Sequence, residues 1–178
     1  MSRRNAVSDA VLERDVPASI RRLDTFAHAD YADIVTASGA RLAAMSPEQL
    51  AHVVLWPDGL RMRAVVGAAG AIQCVVLGFR PSLRASRDNL FGWRIAARGD
   101  RWLRLEASSS LLSGHIVLHR DGGRLSFATF VRYERPLAVH VWAAVAPIHR
   151  RVAIALVRHA VRAQAPSSVR GRAQRTAS

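Results

Sequence analysis

Hydrophobic positions recur every three or four residues in one stretch of the chain, every second residue in the next, and every three or four again at the end. The first strong signal is Ser46-Pro47-Glu48-Gln49. A serine, a proline at the first helical position and a glutamine three residues after the serine satisfy the orphan amide donors of a helix start. The spacing predicts a helix from Pro47 to Trp56 with Leu50, Val53 and Val54 inward. Pro57-Asp58-Gly59 ends it, and a second short helix carries Leu60, Met62, Val65 and Val66 until Gly67 and Gly70 weaken it. The GAAG spacing at 67–70 lacks the Lys-Ser/Thr pair of a phosphate loop and reads as close backbone packing. Upstream, DTFAHADYADIV predicts a first strand within 24–35, ending at Ser38-Gly39, and the residues before about 20 read as a flexible lead-in.

From about Phe91 the period becomes two. FGWRIAAR, RWLRLEASS, GHIVLHR, LSFATFVRYE and LAVHVWAAVA predict five strands, with turns at Arg98-Gly99-Asp100, Leu112-Ser113-Gly114, Asp121-Gly122-Gly123 and Arg135-Pro136. Asp121-Gly122-Gly123 is the clearest hairpin, because its glycines tolerate the positive φ that a tight reversal needs. After Pro147, IHRRVAIALVRHAVRA predicts a single helix of about four turns. The order gives an α+β fold: a curved antiparallel sheet wrapped around a long C-terminal helix, with two short helices after the first strand. In such a helix-grip layout the helix lies across the concave face and leaves a cavity. The chain divides into a lead-in at 1–23, the domain at 24–163 and a basic tail at 164–178 expected to be disordered.

Composition sharpens this in three ways. A chain of 178 residues is one domain's length and buries about 70% of its unfolded surface. The single cysteine, Cys74, excludes an internal disulfide or a multi-cysteine metal site, and its apolar surroundings suggest a buried structural thiol in a reducing compartment. With no apolar run of signal-peptide length at the start, the expected location is the cytoplasm. The stretch from Ala64 to Phe79 falls short of the roughly 20 apolar residues of a spanning helix, so it reads as core, without membrane insertion.

All 26 basic residues are arginine and outnumber the 13 acids, which gives a net charge of +13. Arginine in place of lysine follows from a GC-rich genome without functional demand, but the excess still creates a positive field. No RNA-binding aromatic strand motif, recognition helix or zinc finger accompanies it. Specific nucleic-acid binding is not expected; the arginine-rich surface and tail allow nonspecific, salt-sensitive contact with anionic partners.

The run from Trp102 to Ala160, with Thr129-Phe130-Val131 and Pro147-x-His149-Arg150 as its most specific parts, resembles the bacterial family called domain of unknown function 2867, a START/SRPBCC-like group; DYADIV resembles that family's opening segment. The resemblance covers about residues 24–163 and leaves Gly67 to Asn89 unaligned. It implies the helix-grip fold. Relatives of that fold bind lipids, sterols, polyketides or hormones, and a minority are cyclases or hydrolases.

The candidate function is therefore binding of a hydrophobic or amphipathic small molecule between sheet and C-terminal helix, with no cofactor. Trp93, Trp102, Phe127, Phe130 and Trp142 are candidate lining residues, and Glu106, Thr129 and His149 candidate polar ones. Trp102, Arg104 and Glu106 share one strand face, and Leu103 and Leu105 the other. If the first face lines the cavity, Glu106 is an acid in an apolar site; if the second does, it is a surface acid. His149, placed at the start of the last helix, would be kept neutral by the helix dipole, and an enzyme on this fold would use Glu106 and His149 for proton transfer. His115 and His119 share a strand face and His140 lies on a later predicted strand, but no ligand spacing is diagnostic of zinc and no metal site is expected.

Overall fold

The computed structural model describes residues 9–79, 89–90 and 92–164. Its elements are β1 (Val11–Glu13), α1 (Ala18–Arg21), β2 (Tyr31–Ser38), a 3-10 turn (Ala40–Ala44), α2 (Pro47–Leu55), α3 (Leu60–Val75), β3 (Asn89–Leu90), β4 (Trp93–Gly99), β5 (Trp102–Ser108), β6 (Leu112–Asp121), β7 (Arg124–Tyr133) and α4 (Leu137–Ala163). The seven strands form one antiparallel sheet in the order β1-β2-β7-β6-β5-β4-β3, open rather than closed into a barrel, and α4 packs across it. The chain is thus α+β.

Alternation along each strand assigns the two faces. Tyr31, Asp33, Val35 and Ala37 of β2, Leu103 and Leu105 of β5, Leu112, Ile116 and Leu118 of β6, and Leu125, Phe127, Thr129 and Val131 of β7 point toward the helices. The apolar members join Leu50 and Val54 of α2 and Trp142, Leu156 and Val157 of α4 in the main core. The opposite face carries a second, smaller core of Ile34, Val117, Ala128 and Phe130, covered by Val16 and Ile20 with Leu23 and Phe26 against them. The segment expected to be a lead-in therefore contributes an edge strand and the cover of the outer face.

Several local expectations hold at atomic detail. Ser46 Oγ accepts from the Gln49 amide at 3.2 Å while Gln49 Oε1 accepts from the Ser46 amide at 2.8 Å, the reciprocal cap that starts α2. Gly122, at φ +54°, turns β6 into β7 through a two-residue loop.

Others are corrected. The turn placed at Leu112-Ser113-Gly114 lies inside β6; the reversal sits just before it, where Ser109 Oγ accepts from the Leu111 and Leu112 amides at 3.1 and 3.2 Å. LAVHVWAAVA is not a strand but the first ten residues of α4. Its buried positions Ala138, Trp142, Val145 and Ala146 follow helical spacing, its alanines favour helix, and the two-residue alternation in LAVHV covers only its first turn. Pro147 lies within α4 on its exposed side, where water can satisfy the carbonyl that loses its donor. His140 is consequently on a helix, apart from His115 and His119. Cys74 is exposed rather than buried, and α3, expected to end near its glycines, continues to Val75 without a single buried residue. The expected disorder of the tail falls on 165–178, outside the described residues.

Candidate functional site

Between the inner sheet face and helices α3 and α4 lies a cavity of about 130 Å³. Its walls are almost wholly apolar: Trp93, Phe127 and Val131 from the sheet, Val66 and Ile72 from α3, Trp142 and Leu156 from α4. Gly114 faces the same space, where a Cβ would make ordinary contact with the Trp93 ring at 3.5 Å and the Phe79 ring at 3.6 Å. The polar side chains on the wall are few: Gln73, Thr129 and His149. Gln73 Oε1 accepts from Trp93 Nε1 at 3.3 Å, whereas the buried Trp142 Nε1 has no hydrogen-bond partner among the described residues.

Thr129 and His149 meet because Thr129 faces inward from β7 and His149 faces the sheet from the middle of α4; their Oγ1 and Nε2 are 3.0 Å apart. Behind them sits Asp33, which pairs with Thr129 across the β2–β7 ladder and is completely buried. Its Oδ1 lies 4.0 Å from His149 Nε2 and has no hydrogen-bond partner among the described residues. Its Oδ2 accepts a short hydrogen bond from the Tyr31 hydroxyl, which in turn accepts from Arg150 Nη1 at 3.4 Å. The Trp142 ring meets Tyr31 edge-on at 5.2 Å and His149 at 5.5 Å, so one side chain links the apolar wall to the polar cluster.

The electrostatics follow from burial. Removal from water pushes the His149 imidazole below the ordinary histidine value, with Asp33 opposing and Arg150 reinforcing that shift. Its neutrality comes from desolvation and not from a helix start, because His149 lies well inside α4. Burial and the hydrogen bond to Asp33 push the Tyr31 hydroxyl up to about 12, so Tyr31 is a donor throughout the neutral range.

A pH dependence of stability follows. The unfolded chain takes up the histidine proton near pH 6.5 while the folded chain resists it, so stability is fully present above that value and declines as pH falls through it. Urea titrations between about pH 7.5 and 5.5 should show this decline, and His149→Gln should reduce it. The remaining slope would include His119, which burial shifts the same way. An unchanged slope in His149→Gln would exclude His149 as its source.

Of the eight residues expected at the site, Trp93, Phe127, Thr129, Trp142 and His149 line the cavity. Trp102, Glu106 and Phe130 do not. Register places Glu106 opposite His115 and His115 opposite Phe130, all on the outer face, while Leu105, Ile116 and Thr129 form the inward row. The sheet therefore separates Glu106 from His149 and removes the proton-transfer pair expected of them. Glu106 is instead held by Arg94 and by Arg104 Nε at 2.9 Å, and lies 3.7 Å from His115 Nε2. Tyr31, Asp33 and Arg150 are the members that the sequence reading missed. Asp33 had a signal: an acid in register with the inward positions of an otherwise apolar strand.

Among the described residues, no group of three or more His, Cys, Asp or Glu is arranged to hold a metal ion. No family model, curated protein or solved structure matches this chain. Chemistry and geometry are the basis on which its function is read.

Proposed function

We propose that the protein is a helix-grip domain that binds a small amphipathic molecule between the sheet and α4. The order of one long strand, two helices, the remaining strands and a long terminal helix supports that fold, and with it the resemblance to domain of unknown function 2867. The binding reading rests on one observation above the rest: an apolar cavity lined by Trp142, whose buried N–H has no partner among the described residues, and by the Thr129–His149 pair. A buried donor left without an acceptor costs free energy, which a ligand oxygen placed there would recover. The apolar walls take the hydrocarbon part and the Trp142 end takes the oxygen. A cavity of about 130 Å³ suits one ring or a short chain, since dry cavities of about 150 Å³ hold benzene.

Native mass spectrometry of freshly purified protein should show a bound small molecule, and phenol, as a defined probe, should bind by calorimetry. Trp142→Phe keeps the apolar surface and removes the donor, so phenol affinity is expected to fall about tenfold. If phenol causes no heat of binding and no chemical-shift change at cavity residues, the reading fails.

A further inference from the structure

We propose that the outward side of α3 is a docking surface for the anionic face of a lipid bilayer. On a 3.6-residue period, Leu60, Ala64, Gly67, Ala68, Ala71 and Val75 fall on one arc about 100° wide. Every one of them is exposed, Leu60 at 87% and Val75 at 83%. No charged residue occurs from Ala64 to Phe79. An exposed helix of a water-soluble domain ordinarily carries charge on its outer side, and an outward arc that is apolar along its length calls for cover.

The arc's surroundings identify the cover. Arg61 and Arg63 flank the arc on either side at its first turn, where long arginine stems lie along apolar surface while their heads reach headgroup phosphates. Trp56, at the end of α2, is 42% exposed with the Arg63 guanidinium 4.9 Å over its ring, an amphipathic indole suited to headgroup depth. The chain's charge of +13 draws it to an anionic surface and opposes a second copy, which would bring the same arginines together. The contact is interfacial: no helix among the described residues is long and apolar enough to cross a membrane. The inner side of the same helix, through Val66, Ala69, Gly70, Ile72 and Gln73, walls the cavity. Docking therefore places the cavity one helix away from lipid, although the proposal does not require the cavity to hold a ligand.

The sole cysteine makes the test direct, because Cys74 is exposed on α3 near the arc. A polarity-sensitive fluorophore on Cys74 should shift to the blue with vesicles of phosphatidylcholine containing about one-third phosphatidylglycerol, and not with phosphatidylcholine alone. In co-sedimentation, Leu60→Glu and Val75→Glu should each weaken binding of the unlabelled protein at least tenfold, with melting temperature unchanged because both side chains are exposed. Undiminished binding by both variants would place attachment on arginines elsewhere and overturn the proposal. So would a blue shift that depends on protein concentration and not on vesicles, which would make a second copy the partner.

Discussion

Phe130→Ala is expected to cost about 3–5 kcal/mol of unfolding free energy while leaving the cavity on the other side of the sheet unchanged. Phe130 is fully buried, but on the outer face of the sheet, where it packs with Ile34, Val117 and Ala128 beneath Val16 and Ile20. Truncating it opens a void between the interior strand β7 and the N-terminal segment. That segment is short and attached by a three-residue edge strand, so it offers little chain to collapse inward. The second anchor on that face is the buried Asp24–His115 contact, Oδ1 to Nδ1 at 2.6 Å, with Phe26 stacked on the imidazole at 3.7 Å. Urea unfolding measures the loss, and native mass spectrometry of the folded variant reports whether any bound molecule is retained. A cost below about 1 kcal/mol would mean that residues 16–29 contribute little to the fold.

The contrast with Phe127 explains what the sequence could and could not convey. The two phenylalanines are three residues apart in a strand where most positions are buried, because β7 is an interior strand with α4 on one side and the N-terminal segment on the other. A strand covered on both faces loses the polar alternation that marks an inner side. Phe127 and Phe130 are therefore equivalent candidates in the sequence, and only the N-terminal cover distinguishes them. β5 is different: its alternation leaves two faces open, and the pairing decides between them, with Trp102, Arg104 and Glu106 outward and the Leu103/Leu105 row inward. Local signals with a hydrogen-bonding mechanism, such as the Ser46 cap and the Gly122 turn, were readable because their chemistry is complete within a few residues. The first ten residues of α4, Leu137–Ala146, read as a strand because LAVHV alternates and a proline follows at 147, and only the sheet beneath them decides which period counts. The polar cluster spans Tyr31 to Arg150, and no spacing in the chain encodes that contact.

That cluster sets the second large expectation. Tyr31→Phe should destabilise the protein by about 3 kcal/mol, although it removes one oxygen and leaves the ring against Trp142. Asp33 is completely buried, its Oδ1 is already without a hydrogen-bond partner among the described residues, and the Tyr31 hydroxyl is the donor to Oδ2. Losing that donor strands the whole carboxylate, a heavier penalty than the hydrogen bond's own modest net value. Tyr31→Phe/Asp33→Val removes both partners and replaces them with apolar groups, so it should recover most of the loss; the cycle should give a coupling of at least about 1.5 kcal/mol. The alkaline limb provides an independent readout. A Tyr31 hydroxyl held protonated to about 12 contributes stability that is present below pH 10 and is lost as pH rises from there toward 12. Tyr31→Phe should lose that component and keep only the part from Tyr133, the chain's other tyrosine, whose hydroxyl burial and Asp30 also push up. A double variant no more stable than the sum of its parts would show that Asp33 is satisfied through His149 or Arg150 instead. In that case the carboxylate's orientation toward His149 Nε2, and not its bond to Tyr31, would be what keeps it in the fold.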